Sequence, residues 1–406
     1  MDFSHSKRAQ DTIQQVQQFM TENVLPIEQE VMQLNRKLNN SEDWRTWQAL
    51  KPIEELKALA KQHCLWNLFL PDDQLGQGLS CQEYAPVAEL MGHSLIAPEI
   101  FNCNAPDTGN MEVLYHFGST QQKRQWLTPL LAGETRSVFG MTEPAVASSD
   151  ATNMQATIIE EGDNVIVNGT KWWSTGLGHP DAQFMIFMGL TDSDAAKHQQ
   201  HSMVIIPLDT PGVTIKRMLT AFGELDAPYG HGEVELTDVV VPKTNVIAGL
   251  GKGFAIAQGR LGPGRIHHCM RAIGAAERSL ALAIKRGQTR QAFGNQIINL
   301  GGNKERIAKA RMAIDQARLL TLHAAWKIDN FGVKHSMTEI SAIKVVIPNM
   351  LTEIVDMAIQ IHGGAGMCHD TPLAGFAAMA RALRLADGPD EVHMAMVSRL
   401  ELGKYK

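Results

Sequence analysis

Several short strings in this 406-residue chain combine residue types that could do chemistry. Ala386-Asp387-Gly388-Pro389 puts a carboxylate just ahead of a Gly-Pro pair. Such a carboxylate is either a proton acceptor or the N-cap of a helix begun by the proline. Arg290-Gln291-Ala292-Phe293-Gly294 carries an arginine whose fork suits a phosphate, and which could equally be a surface arginine at a helix end. Gln360-Ile361-His362-Gly363-Gly364-Ala365-Gly366 offers glycines that let backbone approach a ligand closely, and it also reads as a helix end followed by a turn. Asn168-Gly169-Thr170-Lys171-Trp172-Trp173-Ser174-Thr175-Gly176 sets two indoles on what alternation makes opposite faces of a strand. Gly264-Arg265-Ile266-His267-His268 clusters cationic and titratable groups that would line a cavity or sit in packing. Met141-Thr142-Glu143-Pro144 with Ser148-Ser149-Asp150 completes the set.

The elements that must position these strings follow from the texture of the chain. Residues 4–131 read as helical. A start at Ser41-Glu42-Asp43 is followed by Trp44, Trp47, Leu50, Ile53, Leu56 and Leu59 near helical spacing, with Pro52 bending or beginning a helix. Residues 136–246 read as β. Met154–Ile158 alternates, Glu161-Gly162-Asp163-Asn164 supplies a turn, and Val165–Val167 resumes, which predicts a hairpin within an antiparallel barrel or sandwich. From residue 253 onward long proline-poor stretches over 266–286, 301–331 and 337–361 predict a helical bundle.

Composition bounds the function. Hydrophobic residues make up 44% and charged residues 20%, an ordinary globular balance. Lys and Arg number 37 against 43 Asp and Glu, a net charge of -6, which argues against a nucleic-acid partner. Five separated cysteines without a CxxC pair predict reduced thiols and no metal framework. The lack of a membrane-length apolar run, of a signal core and of a convincing transit segment leads us to expect a soluble cytoplasmic protein without membrane contact.

In this order, and spread over the three textures, the strings resemble the acyl-CoA dehydrogenase family over nearly the whole chain. Leu261-Gly262-Pro263-Gly264-Arg265-Ile266-His267-His268 and Ala386-Asp387-Gly388-Pro389-Asp390-Glu391-Val392-His393 resemble the branch called members 10 and 11. Animal members of that branch can carry an extra kinase-like domain, for which 406 residues leave no room. The resemblance implies an α+β multidomain fold: an N-terminal helical domain over 1–135, a middle antiparallel β domain over 136–246 and a C-terminal four-helix bundle over 247–406. It implies FAD between the β domain and the bundle, with its ADP half reaching a neighbouring subunit.

Residue by residue, Met141 and Thr142 match the segment lining the flavin ring. Trp173 matches the stacking tryptophan and Thr175 the hydroxyl near N5. Ser149, or Ser148 given one extra residue after Pro144, matches the serine near the pyrimidine and pyrophosphate. Arg290, Phe293 and Ile297 match the adenosine pyrophosphate contacts across the subunit interface. Gln360, Gly363 and Gly364 match their other side, and Pro389 and Glu391 further cofactor contacts. Ala292 and Gly301 depart from the polar cradle of many relatives, which carry Thr and Gln there. Asp387 stands where the family's catalytic glutamate is expected, and the family's second base position holds Gly264. Ala386 replaces a bulky aromatic residue, and Arg265, His268, Ala386 and Gly388 fall at the acyl cavity.

The implied reaction is removal of the α-proton by Asp387 and of a β-hydride by flavin N5, giving a trans-2-enoyl-CoA. The thioester oxygen is bonded by the Asp387 N–H and a ribityl hydroxyl. Electrons then pass to an electron-transfer flavoprotein, and the protein is a homodimer or homotetramer. The branch also points to 4-hydroxy- or 4-phospho-substituted acyl-CoA. The alternatives are a nitroalkane-oxidase-like flavin oxidase and a DNA-associated flavoprotein of the same superfamily.

Overall fold

The computed structural model describes residues 4–41 and 43–405, apart from the side chains at 260 and 261. Along the chain run helices α1 Lys7–Phe19, α2 Leu25–Asn39, α3 Lys51–Gln62, α4 Cys81–Met91, α5 Ala97–Ile100, α6 Asp107–Phe117, α7 Thr120–Gln122 and α8 Thr128–Ala132. Strands β1 Arg136–Gly140, β2 Thr157–Glu161, β3 Asn164–Thr175, β4 Ala182–Leu190, β5 His201–Pro207, β6 Val213–Leu219 and β7 His231–Pro242 follow. After them come α9 Gly253–Thr289, the two-residue strands β8 Gln291–Ala292 and β9 Asn295–Gln296, α10 Asn303–Phe331, α11 Met337–His362, α12 Leu373–Leu383 and α13 Asp390–Gly403. The helical, β, helical order read from the sequence is the order observed.

The helix expected from Ser41 is broken in two. Asp43 caps a short turn at Trp44–Thr46, Trp47 is extended, and α3 begins only at Lys51 with Pro52 as its second residue. Proline lacks the donor an interior position needs, so it sits where that donor has no partner anyway. Trp47 leaves the helical register and buries its ring against Gly178 and Gly230, where a Cβ would come within 2.6 and 2.9 Å of it. Glu42 lies outside the described residues.

By packing, the chain forms two compact units: residues 1–29, 60–101 and 262–406, and residues 30–59 and 102–261. The second unit is built on one seven-stranded sheet in the order β1-β4-β2-β3-β7-β6, with β5 on β4. The expected hairpin is β2–β3 in antiparallel register from Thr157↔Asn168 to Glu161↔Asn164. The sheet is mainly antiparallel, but β1 runs parallel to β4, a pairing that strand alternation alone does not signal. Inward positions of the strands, among them Val138, Ile158, Val167, Phe187, Ile206 and Val234, form its apolar core.

In the first unit, α11 buries residues 340, 343, 347, 351, 354, 358 and 361, steps of three and four that mark one continuous helical face. Asp329 near the end of α10 accepts from the N–H groups of Cys81 and Gln82, satisfying donors that the first turn of α4 leaves open. The tightest crossing joins Gly92, at the end of α4, to Gly274 in α9. A Cβ on Gly274 would lie 1.9 Å from the Glu89 carbonyl oxygen, and one on Gly92 would lie 2.0 Å from that of Arg271. Backbone cannot yield as a flexible side chain would. Gly274→Ala is therefore expected to lower stability by at least about 1–3 kcal/mol, the usual cost of overpacking, read as a lower urea midpoint. An unchanged midpoint would show that the helices separate freely.

Candidate active site

Asp387 sits in the turn between α12 and α13. Its backbone lies in the left-handed region, φ 55°, a conformation uncommon outside glycine but tolerated best by Asn and Asp. The turn is held by its carbonyl groups. The carbonyl of Asp387 accepts from Nε and Nη2 of Arg265, at 3.3 and 3.1 Å, and from Nε2 of His393, at 3.1 Å. Nζ of Lys344, reaching over from α11, donates to the carbonyls of Leu383 and Ala386. These acceptors lie at and beyond the end of α12, where a cation is favoured. Asp390, the first residue of α13, accepts from Arg384 Nε at 2.8 Å and from Asn349 Nδ2 at 3.1 Å. Gly388 has φ 101°, and a Cβ there would stand 2.9 Å from His393 Nε2, so only glycine lets that imidazole reach the Asp387 carbonyl. Pro389, not Asp387, occupies the N-cap position of α13, so the capping explanation for Asp387 fails.

The carboxylate of Asp387 meets a second imidazole. His268 Nε2 lies 3.4 Å from Asp387 Oδ2, and Arg271 Nη2 lies 3.0 Å from His268 Nδ1. Ala386 beside Asp387 is exposed. Arg265 departs from the expected cavity ligand: it is buried, and two of its nitrogens are committed to the Asp387 carbonyl. His267 is core, edge-on to the rings of Tyr84 and Phe69, and burial pushes its pKa well down. Burial raises the nearby Cys269 thiol to about 12, which keeps it protonated. Burial also lowers Lys344, Arg265 and His393, the last to about 4 with the neighbouring Arg265 charge adding to the effect.

The β unit carries the other strings. Trp172 and Trp173 fall in a register break of β3 between Lys171 and Ser174, and Trp173 has φ 52°. Simple alternation is therefore replaced by a bulge, which turns the Trp173 indole outward to 43% exposure, while the Trp172 N–H bonds the Thr142 carbonyl at 3.0 Å. Thr175 Oγ1 lies 2.9 Å from His231 Nδ1, whose Nε2 lies 3.4 Å from Asp226. Thr142 and Ser149 are exposed and Met141 half-buried. Ser148 is used within its own loop, accepting from the Glu143 N–H at 2.8 Å.

Beneath this string lies a residue that sequence reading passed over. Lys171 is fully buried; its Nζ donates to Glu143 Oε1 at 2.7 Å and to the Met141 carbonyl at 2.9 Å. Glu143 in turn accepts from the Gln155 and Ala156 N–H groups. Burial pulls Lys171 down to about 8, with Glu143 opposing the fall. The pair thus fixes the Met141–Glu143 backbone. Its sequence signal is a lysine on the inward phase of a strand, two residues before Trp173. The signal for His393 is its place one helical turn into α13.

The remaining strings return to the first unit. Arg290 follows α9 into the β8–β9 hairpin, whose turn is Phe293-Gly294 with both φ positive, 52° and 74°. Arg290 is exposed, Phe293 is 93% exposed and Ile297 half-buried. Gln360 is exposed on the last turn of α11. Gly363 ends that helix at φ 64°, and Cβ atoms on Gly363 and Gly364 would meet nothing within 4 Å. Glu391 is exposed in the first turn of α13. Within the β unit an exposed indole beside open hydroxyls suits a flat ring, and within the first unit an open glycine turn suits a pyrophosphate. Among the described residues no helix is long and apolar enough to cross a membrane.

Family models for the acyl-CoA dehydrogenase N-terminal, middle and C-terminal domains match residues 6–134, 138–239 and 251–401. A Mycobacterium tuberculosis protein named as a candidate acyl-CoA dehydrogenase is 50% identical over all of this chain and 98% of its own. Acyl-CoA dehydrogenase family member 11 of Mus musculus is 50% identical over 98% of this chain and 51% of its own, so this chain spans about half the length of that relative. A solved candidate acyl-CoA dehydrogenase from Mycobacterium abscessus is 56% identical, covers both chains completely and superposes with a TM-score of 0.97.

The pKa of His393 generates a stability test. Its folded value of about 4 lies below the ordinary imidazole value of 6.5, so between these pH values the unfolded chain binds the extra proton. The contribution of neutral His393 is present above pH 6.5 and is lost as pH falls toward 4. Unfolding midpoints measured across that window are expected to fall with acidity, and His393→Gln is expected to flatten the slope. An equal slope in the variant would remove His393 from the account.

Proposed function

Since the chain belongs to the acyl-CoA dehydrogenase family, we propose that it oxidises an acyl-CoA thioester to a trans-2-enoyl-CoA, with Asp387 as the base. The observation that carries this reading is the construction around Asp387: a left-handed turn bound through its carbonyl by Arg265 and His393, with the carboxylate met by His268. The constraint also answers the shorter reach of Asp compared with Glu, because reach must then come from the main chain. The carboxylate oxygen takes the α-proton, and the electron pair left at Cα forms the double bond as the β-hydride departs.

FAD supplies the two-electron acceptor for that hydride. Trp173, Thr142, Ser149 and Thr175 are the residues of the β unit to hold its ring, with Lys171 and Glu143 fixing the backbone of the Met141 string. Arg290, Phe293, Ile297, Gln360, Gly363 and Gly364, with Pro389 and Glu391, are the candidates for its nucleotide half. The exposure of Phe293 at the hairpin tip and of Arg290 at its base supports a second copy of the chain completing each site, in a homodimer or homotetramer. An exposed stripe on α10, Met312, Leu319 and Trp326 at seven-residue steps, supports the same reading. The natural electron acceptor in this reading is an electron-transfer flavoprotein.

The preferred acyl group in this reading carries a hydroxyl or phosphate at C4. Its support is the exposed, small Ala386 beside a turn surrounded by Arg265, Lys344 and, behind His268, Arg271. Arg265 serves the turn first, so a direct phosphate contact is not its main task.

Asp387→Asn is near-isosteric, suits the left-handed backbone and cannot take the proton. It is expected to retain FAD while slowing flavin reduction by about 10²–10⁴-fold, the usual worth of a general base, measured by anaerobic stopped-flow bleaching. Reduction at the wild-type rate would transfer the role to another residue. In wild type, a 4-phosphoacyl-CoA is expected to bleach the flavin faster than any member of a butyryl- to palmitoyl-CoA series, and a straight chain winning would return the substrate to simple fatty acyl groups.

A further inference from the structure

His268 and Arg271 lie three residues apart on one face of α9. Arginine has only donors, so the 3.0 Å contact of Arg271 Nη2 with His268 Nδ1 requires that nitrogen to be an acceptor. A ring whose Nδ1 carries a lone pair holds its proton on Nε2. That nitrogen faces Asp387 Oδ2 at 3.4 Å, a distance that substrate-bound sites commonly shorten. From this geometry we infer that Arg271 and His268 form a positioning relay for the base: Arg271 sets the imidazole tautomer, and His268 Nε2–H holds Oδ2 so that the carboxyl group keeps one rotation relative to the α-proton. The inference rests on Asp387 being the base and assigns no proton transfer to His268.

The arrangement has a physical purpose. The main chain of Asp387 is already fixed through its carbonyl by Arg265 and His393. Rotation about the two side-chain torsions decides where its carboxylate points. A short carboxylate has little reach to spare, so an orientation error that a longer side chain could absorb displaces the accepting oxygen from the C–H bond. His268 restrains that rotation, and both His268 and Asp387 keep about a quarter of their side-chain surface exposed, so the contact is open toward a ligand. A histidine without Arg271 could place its proton on either nitrogen, and the wrong tautomer would aim a lone pair at the carboxylate.

The test uses the FAD-loaded enzyme and whichever of butyryl- to palmitoyl-CoA or a 4-phosphoacyl-CoA bleaches wild type fastest. His268→Leu is expected to slow flavin reduction at saturating substrate by about 10–100-fold, in line with the cost of misplacing a reacting group, with the half-saturating concentration changed much less. His268→Gln keeps an N–H near the Nε2 position and is expected to recover most of the rate. Arg271→Met is expected to slow wild type about tenfold and to change His268→Gln less than twofold, because an amide has no tautomer for Arg271 to set. FAD content and melting temperature of each variant separate this pattern from a folding defect, which would slow both backgrounds alike. Wild-type reduction by His268→Leu overturns the relay, as does a glutamine no better than leucine, or an Arg271→Met effect equal in both backgrounds. A failure of the base itself is read separately, from normal reduction by Asp387→Asn.

Discussion

The carbonyl oxygen of Asp387 accepts from a buried guanidinium and a buried imidazole, and the first unit of the protein is organised around that acceptance. Arg265 comes from α9 and His393 from α13, while Lys344 of α11 ties down the carbonyls on the chain leading into the turn. Three helices thereby converge on one stretch of main chain. Arg265 and Lys344 are charged groups kept from water, a costly placement unless each donor has an acceptor. Here the acceptors are the last carbonyl of α12 and two carbonyls of the turn beyond it, so the needs of that main chain and of the buried cations cancel. Gly388 and the crossing of Gly92 with Gly274 then appear as packing requirements of the same arrangement. The first admits His393, and the second brings α9 close to α4 about two and a half turns from Arg265.

The β unit uses the same device in another form. Lys171 and Glu143 are both buried, and each spends its remaining hydrogen-bonding capacity on main chain: Lys171 on the Met141 carbonyl, Glu143 on the N–H groups of Gln155 and Ala156. A buried ion pair of this kind contributes little net stability compared with apolar packing. What it fixes is the path of the 141–143 string. The bulge at Trp173 opens the ladder just beyond Lys171, so a rigid inward lysine is followed by an outward indole.

The sequence made the order of textures legible because helix and strand periods differ, and the β2–β3 hairpin because Gly162-Asp163 interrupts two alternating runs. The helix at 41–50 was misread because Trp44, Trp47 and Leu50 match a helical step by spacing alone, while Trp47 answers to glycines more than a hundred residues away. The parallel β1–β4 pairing was invisible for the same reason: register between distant strands is set by packing. Motif resemblance singles out Asp387, Trp173 and Gly363. Their left-handed backbones were not legible, since a positive φ at Asp or Trp is imposed by bonds made elsewhere. Lys171, Lys344, His393 and Arg271 were missed because a charged residue in a string reads as surface until a carbonyl, a carboxylate or an imidazole is found opposite it. Arg265 shows the converse: a cluster that looked directed at a ligand is largely spent on the protein's own main chain.

The left-handed backbone at Asp387 also restricts how this position can drift over generations. Asparagine and aspartate tolerate that conformation better than other side chains with a Cβ. The two are also related by one nucleotide change in either aspartate codon. The replacement easiest for the fold is thus the one that removes the ionisable oxygen, and the helices around it would register almost no disturbance. On the proposed role of Asp387, a lineage relieved of selection on this chemistry would pass readily to a folded, ligand-holding protein without a proton acceptor. Its descendants would be recognised by that single letter and not by any decay of the surrounding structure.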